Sequence, residues 1–322
     1  LVSNMNNKEK YRELCKREKS IPIFSKDWWL DAVAGDNWDV AVVEKNGEVI
    51  AALPFVKKRK MIFDIISMPK LTQNLGIWVK YPENQKYANR LSFEKEIYTQ
   101  LIEQLPYFDY FCQNFHYSMT NWLPFYWKGF EQTTRYTYVI EDLSNLEAVY
   151  DNFKSNVRGK IKKAQRIVHV ESTESIDLFY ELNKKTFNRQ GIKIPYTLDF
   201  LRRKDEVVSR NHSRQIFIAK DDEGRIHSAL YLIWDSQSSY VHMVGEDPDL
   251  RKSGAGILLI WEAIKFTKEK LGLNKFDFEG SMIENIESVR RAFGAVQKPY
   301  FQITKTNSKL LKVRKLLKEV FK

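Results

Sequence analysis

Apolar and polar positions along this chain follow two different periods, and each change of period marks an element. Trp38 to Phe55 alternates at period two on both sides of Asn46-Gly47. An asparagine-glycine pair between apolar runs predicts a hairpin, because both residues tolerate the left-handed backbone of a tight turn. Leu91 to Leu105 shifts to helical spacing and stops before Pro106, and Phe108 to Phe115 (FDYFCQNF) returns to alternation. A second stretch repeats this order. Gln215 to Lys220 and Ile226 to Trp234 flank Glu223-Gly224, and Ser238 to Val244 reads as a further strand. Gly256 to Leu271 is a strongly periodic helix, and Lys275 to Phe278 (KFDF) is again a strand. Hairpin, glycine-bearing loop, helix and strand thus recur after roughly 170 residues, the mark of an internal duplication.

Helices join the two copies. Ser144-Asn145-Leu146-Glu147 has the S-x-x-E spacing of a capping box and predicts a helix to about Arg166. Ile176 to Arg189 is a second helix, stopped by Gly191, and Thr197 to Val208 a third. Lys309 to Phe321 is a basic amphipathic helix. The expected organisation is a helical or frayed lead-in over 1–20, a first domain over 21–143 and a second over 144–322. No Pro/Gly-rich linker separates them, so close packing is expected.

Composition narrows the classes. The chain has 322 residues, 43% of them hydrophobic, which fits about two globular domains and excludes a disordered or fibrous protein. Its 52 Lys and Arg against 41 Asp and Glu leave a formal charge of +11. Such an excess predicts affinity for anions and nothing about fold. Cys15 and Cys112 make no disulfide framework and no CxxC metal pair. The histidines at 116, 169, 212, 227 and 242 have no metal-ligand spacing, so no metal is expected. No apolar run is long enough to span a bilayer, and Leu1 to Lys19 lacks a signal-peptide core. The expected location is cytoplasmic. The basic tail residues Lys309, Lys312, Arg314, Lys315 and Lys318 add peripheral contact with a membrane as a further expectation. Lys57-Lys58-Arg59-Lys60 reads as a solvated turn.

The segment that carries chemistry is Arg251-Lys252-Ser253-Gly254-Ala255-Gly256, an R-x-x-G-x-G pattern between a strand and a long helix. The first turn of a helix has unpaired N–H groups and a partial positive charge, so it can hold a phosphate. Gly254 and Gly256 lack a Cβ and let a pyrophosphate approach the backbone. Arg251 and Lys252 add charge at the same end. The sequence has no G-x-G-x-x-G, no Walker A loop and no G-x-S-x-G elbow.

This pattern resembles the pyrophosphate loop of the GNAT acyltransferases. The wider chain is similar to the FemAB-like branch of that superfamily, which carries two tandem GNAT-like domains. The resembling segments are Arg158 to Ala164 (RGKIKKA), Phe179 to Gly191 (FYELNKKTFNRQG), Phe276 to Ser281 (FDFEGS) and Arg291 to Gly294 (RAFG). They cover most of 145–305, whereas 21–140 resembles the first copy loosely and lacks the loop. The resemblance implies an α/β (α+β) fold of two tandem domains, each a mixed, mostly antiparallel sheet flanked by helices. It implies one donor site, in the second copy, with acyl-coenzyme A as donor. Residues 251–256 would hold the pyrophosphate, and the N–H groups of Val244 and Gly245 would polarise the thioester carbonyl. Tyr300 stands where a GNAT enzyme can use a tyrosine to protonate the leaving thiolate.

Acyl transfer to an amine also needs a proton acceptor. Glu246, Asp249 and Glu279 lie near strand ends beside the expected cleft, with Glu279 and Glu246 ranked first. His242 alternates with Val241 and Met243 and is a candidate base or acceptor-binding residue, with a core or sheet histidine as the other reading. Arg158, Lys162, Lys163 and Arg166 form a basic helix face. Together with Arg189, Arg158 is expected to meet an amine acceptor in the cleft between the copies, possible acceptors being sugar or cell-envelope precursors. The oligomeric state is left open. Two other readings stand beside this one. One is a FemAB-type transferase that takes its aminoacyl group from tRNA for a peptidoglycan precursor. The other is a non-enzymatic, basic nucleic-acid-binding protein. No recognised nucleic-acid module supports the latter.

Overall fold

The first predicted hairpin closes at the two-residue turn Asn46-Gly47, the second through the longer loop 221–225 that contains Glu223-Gly224, and a sheet grows around each. The computed structural model describes residues 5–280 and 282–320, and for 315–320 the backbone alone. The chain divides into two units, Leu1–Arg135 with Pro299–Lys322, and Tyr136–Lys298. This differs from the expected boundary after 143, and the reason lies in the last strand. In chain order the first unit holds helices α1 (Asn7–Arg17) and α2 (Asp27–Ala34), then strands β1 (Trp38–Lys45), β2 (Glu48–Lys60), β3 (Phe63–Ser67) and β4 (Trp78–Val79). Helix α3 (Tyr87–Glu103), β5 (Tyr110–Asn114) and α4 (Leu123–Trp127) follow, and β6 (Glu131–Ile140) runs from the first unit into the second.

The second unit continues with α5 (Leu146–Asp151), α6 (Ser155–Ala164), β7 (His169–Thr173), α7 (Ile176–Arg189) and α8 (Leu198–Arg210). Strands β8 (Arg214–Lys220), β9 (Ile226–Trp234) and β10 (Ser239–Glu246) precede α9 (Ala255–Glu269), β11 (Phe276–Asp277) and α10 (Glu284–Ala292). Strand β12 (Val296–Thr306) then returns to the first unit, where its Gln302 to Thr306 pair antiparallel with Asn114 to Tyr110 of β5. Helix α11 (Lys309–Val320) ends the described chain. A chain that returns to complete its first sheet cannot be cut at one point, so the first unit is discontinuous.

In the first unit the strand order is β1-β2-β3-β5-β12, with β4 on β2. Alternation along β1 divides the core. Val40 and Val42 pack with Tyr11, Leu14 and Leu30 from α1 and α2, while Ala41 and Val43 pack with Ile97 and Leu101 of α3. Helix α1 opens with a capping box, Asn6 with Glu9, and buries Tyr11, whose hydroxyl donates to the Ser25 carbonyl at 2.6 Å. Within the expected lead-in, Asn7–Arg17 is therefore a helix packed into the first unit.

In the second unit the order is β6-β11-β10-β9-β8-β7, and β10–β11 is its parallel pair. Leu258, Leu259 and Ile264 of α9 are buried with Phe217, Leu230 and Val241 of the sheet. The helix expected from Ser144 to Arg166 is two helices. Asn145, not Ser144, caps α5 by accepting from the Ala148 amide at 3.0 Å. The Ser144 amide instead donates to Asp142. Phe153, 2% exposed, drops between the helices onto Trp261 and Phe293.

Candidate functional site

Strands β10 and β11 run side by side for only two residue pairs, Ser239 with Phe276 and Tyr240 with Asp277. Beyond that β10 continues to Glu246 and leaves one backbone edge without a strand partner. Side chains of α7 take over part of that edge. Asn183 Nδ2 donates to the Val244 carbonyl at 2.6 Å, and the Glu246 amide donates to Thr186 Oγ1 at 2.8 Å. Asn183 is itself fixed by the Tyr196 hydroxyl at 2.5 Å. Backbone groups alternate sides along a strand. The Val244 N–H therefore lies on this open edge, and that of Gly245 on the β9 side. Gly245 lies so close to α7 that a Cβ would stand 2.6 Å from the Asn183 backbone nitrogen. The register with β9 slips between Val241 and Met243, which leaves His242 as the extra residue.

A cavity of about 990 Å³ opens at this end of β10. The loop Arg251–Ser253 and the start of α9 form its floor. Gly254 makes the turn into the helix at φ +80°, where a glycine avoids a Cβ clash. A Cβ on Gly256 would meet Ser228 Oγ at 3.3 Å and Glu246 Oε1 at 3.5 Å. Lys160 and Lys163 of α6, Arg189 of α7 and Lys252 bring positive charge to the walls. Lys163 Nζ also donates to the Lys252 carbonyl at 2.6 Å and ties α6 to the loop. Ile257 and Ile260 of α9 with Ile286 and Val289 of α10 make the opposite wall apolar.

Beneath the loop lies a buried relay. Ser253, 5% exposed, donates to the Leu250 carbonyl and accepts from the Ala255 amide. Its Oγ is 2.9 Å from His227 Nδ1, and His227 Nε2 is 2.9 Å from Asp221 Oδ2. The His227 hydrogen bond, reinforced by Arg225, holds the Asp221 carboxyl well below its usual range. This relay fixes the backbone of the loop that lines the cavity.

A second buried cluster sits where β10 and β11 part. His242 Nδ1 is 2.7 Å from Glu279 Oε1, and the Glu279 amide donates to Asp277 Oδ1, which also accepts from Thr137. Lys204 of α8 is fully buried with its Nζ 4.6 Å from the Tyr231 ring centre. Burial pushes Glu279 well above the carboxylate range, and Asp277 adds to the shift. Burial also raises Asp277 to about 6 and lowers Lys204 to about 7. It lowers His242 well below its usual value, with Lys204 contributing. His242 therefore resists protonation, and Glu279 holds a proton more readily than a solvated carboxylate does. Arg290 of α10 lines the cavity with its Nε unpaired, and it interacts electrostatically with both Glu279 and Asp277.

The structure gathers many of the predicted residues here and separates others. Val244, Gly245, Glu246, Asp249, Arg251, Lys252, Gly254, Gly256 and Arg189 all line the cavity. Ser253 and Ala255 belong to the same loop but are buried beneath it. The Glu246 carboxylate is engaged by Arg251 Nε at 3.0 Å. Glu279 and His242 form a pair outside the lining, joined to it through Arg290. Tyr300 is buried on β12 within the first unit and is not part of the lining. Arg158 donates to the carbonyls of Asp151 and Phe153, at 2.6 and 2.5 Å, and so closes the α5–α6 junction. Ser281 and the side chains of Lys315 and Lys318 lie outside the described residues. Sequence reading missed Asn183, Thr186, His227, Lys204 and Arg290. A signal existed for Lys204, which occupies an apolar stripe between Leu201 and Val208. Among the described residues no group of three or more His, Cys, Asp or Glu could hold a metal ion. No described helix is long and apolar enough to cross a membrane.

Residues 151–284 match the family model of the acetyltransferase (GNAT) domain. No curated protein sequence matches the chain. Among solved structures the fold is similar to FemX, with a TM-score of 0.67 at 14% identity over 93% of this chain and 96% of that one. It is also similar to L-PGS from Bacillus licheniformis, with a TM-score of 0.55 at 12% identity over 97% and 96%. A tandem GNAT protein from the clavulanic acid biosynthesis pathway matches with a TM-score of 0.53 at 10% identity over 95% and 97%.

Proposed function

We propose that this chain, whose residues 151–284 match the GNAT-domain model and whose fold is similar to FemX and to a tandem GNAT protein, moves an acyl group from acyl-coenzyme A to a primary amine. The observation that carries this reading is the loop at 251–256. Gly254 and Gly256 line the cavity at the first turn of α9, packed closely against Lys160, Ser228 and Glu246, and cations surround the space. A pyrophosphate there would meet backbone amides, the partial positive charge of the helix end and Lys252. The remaining chemistry of the site fits a thioester donor. The apolar wall of Ile257, Ile260, Ile286 and Val289 suits an uncharged arm, and the open edge of β10 offers the Val244 N–H to a carbonyl oxygen.

The amine nitrogen bonds to the acyl carbon, the carbon–sulfur bond breaks, and coenzyme A leaves as a thiolate that takes its proton from solvent. Glu279, behind the lining, accepts the proton of the attacking amine through a bridging water, and its hydrogen bond to His242 orients the carboxylate. Lys204 and Arg290 favour its charged form, while burial and Asp277 oppose it. The net effect raises its proton affinity above that of a solvated carboxylate. The acceptor is an amine on a sugar or cell-envelope precursor, and the protein works at the cytoplasmic side of the membrane.

A second reading takes an aminoacyl group from tRNA, and the similarity to FemX and L-PGS favours it. The two separate in one assay. The protein is incubated with an amine acceptor panel and either acetyl-coenzyme A or charged tRNA, and product mass is read. Acylated product with the thioester alone supports the first reading. Product with charged tRNA alone replaces it by the second.

A further inference from the structure

The two hairpin turns of the first unit obey different rules. Asn46 and Gly47, between β1 and β2, take φ +53° and +77° and are the residues such a turn favours. Between β2 and β3 the ladder closes at Lys60 with Phe63, so Met61 and Ile62 form the turn. Met61 takes φ +57°, a conformation that glycine or asparagine adopts far more readily. Met61 is 84% exposed and Ile62 65% exposed. Folding therefore gains nothing from these two side chains, either in turn chemistry or in burial. A site where local sequence works against local structure is where another requirement is to be sought.

The surroundings indicate what that requirement is. Lys57, Lys58, Arg59 and Lys60 lead into the turn, and all four are exposed. Lys57 pairs with Asp39, while Lys58, Arg59 and Lys60 make no ion pair among the described residues. The acidic groups nearby are Asp39, Asp64, opposite Arg59 in the ladder, and Asp109, which is held by the Asp64 amide and the Tyr107 hydroxyl. Tyr107, 71% exposed, shares a small surface hollow with Lys57, Lys58 and Arg59. The patch is an apolar tip, a ring of cations behind it and an aromatic at their level.

We infer that the β2–β3 turn is a membrane-docking tip, which sets Met61 and Ile62 into the surface of an anionic bilayer while Lys58, Arg59 and Lys60 meet its headgroups. Two apolar side chains at a tip can enter the headgroup–acyl boundary without burying the strands behind them, and cations in the next residues add attraction to anionic lipid. Tyr107, an exposed aromatic sharing a hollow with those cations, is a residue type that favours a membrane interface. A nucleic acid would use the cations but gain little from an aliphatic tip, since bases stack on aromatic faces. The inference is independent of the proposed donor site.

The test is sedimentation of the whole chain with phosphatidylcholine vesicles and with vesicles also containing phosphatidylglycerol. Binding is expected only with phosphatidylglycerol, weakening as salt is added. The double change Met61→Gly with Ile62→Asn installs preferred turn residues. It should leave the melting midpoint unchanged or raised, and reduce vesicle binding at least about tenfold. Lys58→Glu with Lys60→Glu should reduce it by about fivefold or more for each cation lost. The inference is overturned if the wild-type chain ignores anionic vesicles or if either folded variant binds them as well as wild type. Retention of tRNA by the wild type, lost in the charge variant and without any vesicle binding, would assign the patch to nucleic acid.

Discussion

Lys204 sits in a site that disfavours its charge, and replacing it with methionine separates the burden of that charge from its use. The side chain is fully buried, and burial lowers its pKa from 10.5 to about 7. Between those values the unfolded chain holds a proton that the folded chain has released, so stability rises with pH across the window. Below about 7 both states carry the proton and the full penalty is present. Three and a half decades at about 1.4 kcal/mol each amount to about 5 kcal/mol. Lys204→Met keeps the length and removes the charge. It should stabilise the fold by several kcal/mol near pH 6, with the gain shrinking toward zero at about pH 10. The same change removes a positive charge that favours the Glu279 carboxylate. Glu279 should then hold its proton more tightly, and transfer near neutral pH should fall. Urea unfolding near pH 6 and at about pH 9.5, together with a pH–rate profile, reads both effects. A variant that is less stable near pH 6, or whose gain is the same at both pH values, would refute the reasoning.

Three further outcomes follow from the same geometry. Glu279→Gln should lower kcat/KM by about 10²- to 10⁴-fold with donor KM unchanged, while the wild-type rate climbs with pH through the raised Glu279 pKa. An unchanged rate would assign the proton to another group. His227→Asn breaks the link between Asp221 and Ser253 and should raise donor KM about tenfold with little change in kcat. An unaltered donor KM would show that the relay does not hold the loop. Gly245→Ala places a Cβ 2.6 Å from the Asn183 nitrogen and must part β10 from α7. It should destabilise by about 1–3 kcal/mol in thermal melts, and a neutral result would contradict that close packing.

Periodicity carried most of the fold. The turns at Asn46-Gly47 and Glu223-Gly224 were legible because glycine and asparagine mark them, and α7 was legible to the residue from its apolar spacing. The glycine-bearing loop at 251–256 was legible as the link between a strand and a long helix because its pattern is local. The rest depends on contacts distant in sequence. Strand β12 finds β5 about 190 residues away, which no local period encodes. Thr137 and Asp277 meet, as do Asn183 and Val244, through the sheet alone. Glu279 was picked from its strand-end position, but its bond to His242 and its nearness to Lys204 could not be read in advance. Tyr300 was chosen for its place after a strand start, and that strand belongs there to the first unit. Ser144 lost the cap to Asn145 because Asp142 captured its amide.

The central claim is that the 251–256 loop binds a pyrophosphate-bearing donor, and calorimetric titration of coenzyme A tests it most directly. The wild-type chain should bind with a free thiol donor analogue alone, and more weakly as salt rises. Gly256→Glu, which fills the space beside Ser228 and Glu246 and sets a negative charge at the start of α9, should abolish the heat while the melting curve remains that of a folded protein. No heat with the wild type, or the same heat with both chains, would contradict the account.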